Sequence, residues 1–229
     1  MLKFLPLILP ILYALAMYRF SVWRTAKMLD AQSSPLREPE LTRLAGRMAA
    51  ALDLPEIKVN VFDVDPVNGL AAPDGRIFLT RGFVQKYRAG EVTAEELSSV
   101  IAHELGHVAL GHTRRRMIDF TGQNAVFMML SALLNRFIPG LGIWIANLIA
   151  TALAARLSRR DEQEADAYAS ALLVKAGIGT GPQKSLFRKL EVLTGAKGAG
   201  TPAWLLSHPR TAERIAAIEA REARWNQIG

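Results

Sequence analysis

Hydrophobic positions along this chain recur with different periods in different segments, and the periods predict the elements. Leu41, Leu44, Ala45, Met48, Ala49 and Leu52 fall at helical spacing just after the Pro35–Pro39 boundary, which predicts an amphipathic helix. Ile57, Val59 and Val61 alternate as a strand does, and Ile77 with Leu79 reads as the neighbouring strand. Between them, Pro73 and Asp74-Gly75 mark a turn, and Pro73 is best tolerated at a sheet edge. The helical period returns at Leu97, Val100, Ile101, Leu105 and Val108. Thr93-Ala94-Glu95-Glu96 has the form of a capping box in front of that run, and Gly111 is a natural stop behind it. Leu186, Phe187, Leu190 and Leu193 predict another helix, and Thr211 caps a last one through Trp225.

Two stretches carry no such alternation. Residues 4–18 hold no charge and follow Lys3, with Arg19, Arg24 and Lys27 behind them. More positive charge follows than precedes, which favours a retained anchor with its C-terminal side in the cytoplasm over a cleaved signal. The second stretch runs through residues 124–155, interrupted by Asn135-Arg136 and by a bend signal at Pro139-Gly140 and Gly142. It reads either as a membrane-dipping helical hairpin or as a core helix. Asn147, Thr151, Ala155, Ser158 and Glu162 form a small or polar stripe on one continuous helix, a face expected to pack on protein.

Composition narrows the setting. The chain has 229 residues, half of them hydrophobic, and a net charge of +7. Arginines lie beside apolar runs, at Arg114-Arg115-Arg116, Arg156 and Arg159-Arg160, which suits an anionic membrane surface. No basic helix interleaved with aromatics appears, so nucleic acid is not expected as a partner. The chain has no cysteine, which excludes disulfides and thiolate metal sites alike.

The chemistry lies in His103-Glu104-Leu105-Gly106-His107. Residues four apart on a helix share a face, so the two imidazoles are placed to grip one Zn²⁺, with Glu104 beside the first as a general base. Gly106 costs about 1 kcal/mol in mid-helix against Ala and implies that another element approaches closely. A further protein ligand is needed, with one position left for water. His112 follows His107 by five residues, a rotation of about 140° that points it elsewhere. Asp161-Glu162-Gln163-Glu164-Ala165-Asp166 supplies carboxylate candidates. Glu162 and Asp166 share a face flanked by Ala165 and Ala169, small enough for tight packing on Gly106, while Glu164 lies about 200° around from Glu162.

These motifs resemble those of the HtpX and CaaX-prenyl-protease (Ste-type) group of gluzincin metallopeptidases. The group carries H-E-x-x-H followed by E-x-x-A-D, and Ser207-His208-Pro209-Arg210-Thr211 through Arg214-Ile215 resembles its C-terminal S-H-P-x-T-x-x-R-I element. The resemblance implies one zinc per chain held by His103, His107 and Glu162, with Glu104 as base and Asp166 orienting a ligand. It implies that His208 assists the transition state, that Arg214 organises the site, and that Asn68, Gly69, Leu70 and Ala71 form the strand on which substrate docks. Gly69-Leu70-Ala71-Ala72 matches the group's usual sequence there only loosely.

The expected fold is α+β and mostly helical, with a zincin-type helix packed under a small antiparallel sheet and an apolar helical hairpin inserted between the zinc motifs. The expected organisation is an anchor or signal segment at 1–24 and a metallopeptidase domain at 25–229 carrying the 124–155 insertion. The expected activity is zinc-dependent endopeptidase cleavage of protein or peptide substrates at a membrane, its lipids the other partner. A bacterial inner membrane with the zinc domain cytoplasmic is the expected location, export after signal cleavage the alternative. The rival function is a non-catalytic, zinc-stabilised membrane protein that binds unfolded chains or partners; an intact base at Glu104 argues against it.

Overall fold

The computed structural model describes residues 5–72, 74–112, 115, 127, 130, 131, 133–193 and 211–228. The chain divides into two compact units, residues 1–31 with 111–160, and residues 32–110 with 161–229. The second unit holds the α+β core. Its described elements in chain order are β1 (Ser33–Pro35), α2 (Pro39–Ala51), β2 (Val59–Phe62), β3 (Gly69–Ala71), β4 (Ile77–Thr80), α3 (Arg81–Arg88), α4 (Ala94–Ala109), α6 (Gly181–Leu193) and α7 (Thr211–Ile228). Helix α1 (Leu5–Ala31) belongs to the first unit, and the long helix α5 (Gly142–Lys175) contributes residues to both.

Helix α2 forms where the period placed it. Pro39 opens it, a position where the missing N–H costs nothing. Leu41, Leu44, Ala45, Met48 and Ala49 are buried, and Leu41, Leu44 and Met48 join the common core. The capping box on α4 is complete: the Thr93 hydroxyl accepts from Glu96 N at 3.1 Å, and the Glu96 carboxylate accepts from Thr93 N at 2.9 Å. Glu96 also accepts from Ser185 Oγ at 2.6 Å and Lys189 Nζ at 2.8 Å, tying the start of α4 to α6. Helix α4 ends at Ala109, two residues before Gly111, whose φ of +68° suits a residue without a Cβ.

The sheet corrects one expectation. Its order is β1-β2-β4-β3, with β1 antiparallel to β2, β2 parallel to β4, and β3 antiparallel to β4. The sheet is therefore mixed. Val59 and Val61 do lie beside Ile77 and Leu79, as their alternation predicts. Alternation is the same in either direction, however, and residues 69–71 do not merely connect the two strands. They form a strand of their own on the far side of β4, so β4 runs the same way as β2. Among the described residues, β3 is an edge.

In the first unit, the bend signal marks a real turn. Residues 133–137 are helical, Asn135 Oδ1 accepts from Gly140 N at 2.9 Å, and Gly140 takes φ +83°. A Cβ on Gly142 would stand 2.4 Å from Asn135 N, so only glycine fits there. Asn147 and Thr151, at the start of the small or polar stripe, are exposed, whereas Glu162 at its end is buried. Phe137, Trp144 and Leu148 are also exposed. Among the described residues, no helix is long and apolar enough to cross a membrane.

Candidate metal centre

Three elements of the second unit converge on one buried polar cluster. Helix α4 supplies His103, Glu104 and His107, the last turns of α5 supply Glu162 and Asp166, and α7 supplies Arg214. Each of these side chains is 5 % exposed or less. Charged residues are rarely that deep unless they are paired or serve a site.

The close approach of α5 to α4 depends on Gly106. A Cβ there would meet Ala165 Cα and Ala165 O at 3.0 Å and Tyr168 Cβ at 3.3 Å. The contact brings Glu162 to the histidines. Its carboxylate oxygens lie 3.3 Å from His103 Nε2 and 3.4 Å from His107 Nε2, and the two ring nitrogens are 3.2 Å apart. His103, His107 and Glu162 can each present one ligand atom to a shared ion.

The donor set fits zinc. Tetrahedral ligands about 2.0–2.1 Å from a zinc ion stand about 3.3 Å from one another. All three separations here match that edge. Two imidazole nitrogens and a carboxylate are also a usual combination for a catalytic zinc, with one corner left for water.

Outside that trio, Asp166 accepts from His103 Nδ1 at 3.0 Å, which fixes the tautomer and turns the Nε2 lone pair toward His107 and Glu162. Arg214 grips the same carboxylate through Nε at 2.6 Å and Nη2 at 2.7 Å, and its guanidinium lies 4.2 Å over the Phe187 ring. The Asp166 carbonyl lies 2.8 Å from Ser170 Oγ and 3.4 Å from Gln183 Nε2. Burial would raise the Asp166 carboxyl, but Arg214 and His103 outweigh it and hold the group well below the usual carboxylate range. Burial likewise opposes charge on His103, yet the Asp166 and Glu162 carboxylates outweigh it and raise the ring from 6.5 to about 9. A proton and a divalent ion thus compete for this imidazole.

The remaining expected residues divide. Glu104 is buried beside β3: a Cβ on Gly69 would stand 3.3 Å from Glu104 Oε1 and 2.5 Å from Val100 Cγ1. Asn68 precedes that edge, and Gly69, Leu70 and Ala71 form it. Arg214 engages Asp166 with both of those nitrogens, and its Nη2 lies 3.4 Å from His103 Nδ1. His208 lies outside the described residues. Three contributors escaped the sequence reading: Phe187 looked like any apolar helix position, and Ser170 with Gln183 carry no motif.

Comparison with known proteins identifies a peptidase family. The model of "Peptidase family M48" matches residues 35–222. The chain is 30% identical over 182 residues to "Metalloprotease LoiP" of Escherichia coli, covering 79% of this chain and 69% of that one. It is 26% identical over 254 residues to a "Protease HtpX homolog" of Gemmatimonas aurantiaca, covering 94% and 89%. It is 24% identical over 168 residues to the human "Metalloendopeptidase OMA1, mitochondrial", covering 70% of this chain and 31% of that one. The chain is a metalloprotease and belongs to peptidase family M48, with the HtpX-like metallopeptidases.

Proposed function

We propose that the chain is a zinc-dependent endopeptidase that hydrolyses peptide bonds of protein substrates at or near a membrane. The observation that carries the reading is the triangle of His103 Nε2, His107 Nε2 and Glu162, with edges of 3.2–3.4 Å. His103, His107 and Glu162 hold the ion. When bound, zinc supplies Lewis acidity to the peptide carbonyl and to water. Glu104 takes the proton from water and hands it to the leaving amine. Asp166 holds His103 in its ligating tautomer, and Arg214 holds Asp166 charged and in place. His208 assists the transition state, as the motif resemblance implies. The backbone of β3 docks an extended peptide by strand addition.

Association with a membrane belongs to the same proposal. Support comes from the exposed Phe137, Leu141, Trp144 and Leu148 and from residues 120–160, which contain four arginines and no acidic residue. The anchor at 1–24 and the insertion at 124–155 are its expected contacts, with the zinc domain on the cytoplasmic side.

The test is casein cleavage by purified wild type and Glu104→Gln, each with and without a chelator. Wild type should cleave and stop when the metal is removed. Glu104→Gln should retain the metal and lose about 10²- to 10⁴-fold in turnover. Near-normal turnover by that variant would refute the mechanism, and metal without any wild-type cleavage would favour the non-catalytic alternative.

A further inference from the structure

The outer edge of β3, which no strand pairs among the described residues, is interrupted at one end by the side chain that precedes it. In the β3–β4 register, Leu70 lies opposite Phe78. The pairs on either side of it are joined inward, with Thr80 N donating to Asn68 O at 3.0 Å and Ala72 N donating to Arg76 O at 2.9 Å. Inward and outward residues alternate along an antiparallel ladder, so Leu70 faces β4 and the backbone groups of Gly69 and Ala71 face outward. Ala71 offers the outer edge both an N–H and a C=O. Gly69 does not offer both, because its N–H donates to Asn68 Oδ1 at 3.0 Å. Only the oxygen of the Asn68 amide can accept that bond, so the orientation of the amide is fixed as well. The Asn68 backbone is clamped in turn: its N–H donates to Thr80 Oγ1 at 3.0 Å, and its carbonyl accepts from Thr80 Oγ1 at 3.0 Å.

Gly69 also lies against the candidate base. Its missing Cβ leaves the room that Val100 and Glu104 occupy. A peptide added antiparallel to β3 would exchange two hydrogen bonds with Ala71. Opposite Gly69 it would donate one, to the Gly69 carbonyl, and receive none. The carbonyl of that one peptide residue would remain uncommitted, and it would lie beside Glu104.

We propose that Asn68 is a register-determining residue. By capping the Gly69 N–H it ends the ladder there and leaves one peptide carbonyl unpaired next to the base, which selects the bond that is cut. The inference rests on the peptidase reading above. Without the cap, a peptide could pair one step further and present neighbouring bonds as well.

The experiment uses the metal-loaded full chain and an extended casein-derived peptide. In the Glu104→Gln background, so that the peptide stays intact, amide hydrogen exchange is followed at Gly69 and Ala71. With Asn68 present, peptide should slow exchange at Ala71 and leave Gly69 unchanged. Asn68→Ala should speed Gly69 exchange about 2- to 10-fold in the free protein, the worth of one hydrogen bond, and peptide should then slow it. Asn68→Asp keeps an acceptor and should leave Gly69 exchange in the free protein as slow as in wild type; Asn68→Ser, whose acceptor is shorter, repeats the Ala expectation should that variant fail to fold. With Glu104 intact, mass analysis of products should show added cuts at adjacent bonds in Asn68→Ala only. Unchanged Gly69 exchange or unchanged cleavage sites in Asn68→Ala would overturn the proposal, as would peptide protection of Gly69 while Asn68 is present. Protection of Ala71 by a wild type without chelator-sensitive turnover would overturn the peptidase reading instead.

Discussion

In residues 32–110 and 161–229, His103, Glu104, His107, Glu162, Asp166 and Arg214 are buried to 5 % exposure or less, whereas in residues 1–31 and 111–160 Tyr13, Phe137, Trp144 and Leu148 are each more than two-thirds exposed. Either arrangement is costly for a folded chain with no further partner. Buried charges need counter-charges or an ion, and exposed apolar surface needs a covering. The first cost is offset within the unit, by Asp166 bridging Arg214 and His103 and by a donor triangle shaped for one cation. The second is not offset by packing, which is the physical reason to look for a lipid partner at the first unit and for chemistry at the second.

The contrast can be broken from either side. The largest effect is expected at the link between the ligand and its support. Asp166→Ala removes the charge facing Arg214 and the acceptor that orients His103. Metal affinity should fall about 10- to 100-fold. Stability should fall by about 3–5 kcal/mol, the cost of leaving a buried cation without its partner. Metal titration on the folded fraction and denaturant unfolding read the two effects separately. Unchanged affinity would show that Asp166 does not support His103.

pH gives the next test, and its sign depends on the metal. His103 is raised from 6.5 to about 9 in the metal-free fold. The stabilisation that this protonated ring contributes is fully present below about 6.5 and is lost as pH rises through about 9, at about 1.4 kcal/mol per pKa unit. Metal-free protein should therefore unfold more easily toward pH 9. Metal binding displaces the proton, so affinity should rise over the same window. Thermal unfolding of chelator-treated and metal-loaded samples from pH 6 to 10 checks both trends; parallel curves would count against a proton and an ion sharing His103.

The smallest effect on catalysis is expected in the first unit. Trp144→Asp changes a residue 74% exposed, so turnover of a soluble casein peptide should stay within about twofold. Flotation with vesicles containing anionic lipid should drop clearly for the same variant. Equal flotation of the two proteins would remove Trp144 from the lipid contact.

What the sequence disclosed follows the range of the forces involved. The α4 cap, the buried face of α2 and the role of Gly106 are local or depend on side-chain size alone, so residue type at a given spacing was enough to read them. Asp166 as the residue that orients a ligand came from the motif resemblance, and that the ligand it faces is His103 was not legible, because both histidines share one face of α4. The parallel β2–β4 pairing was not legible either, since alternation carries no direction. Helix α3 was missed because eight residues, Arg81–Arg88, give too little period to detect; tertiary contacts place it, with Thr80 capping its start and Gly82 lying against the Asp65 carbonyl. Phe187 beneath Arg214 was invisible for another reason: nothing in a helical period tells which apolar residue will face a cation.

The most direct test of the account is metal stoichiometry in purified wild type, Glu162→Ala and Glu164→Ala, measured by elemental analysis after dialysis against trace zinc. Wild type and Glu164→Ala should each hold one zinc per chain, while Glu162→Ala should hold almost none. Equal zinc in the two variants would contradict the claim that His103, His107 and Glu162 form the centre.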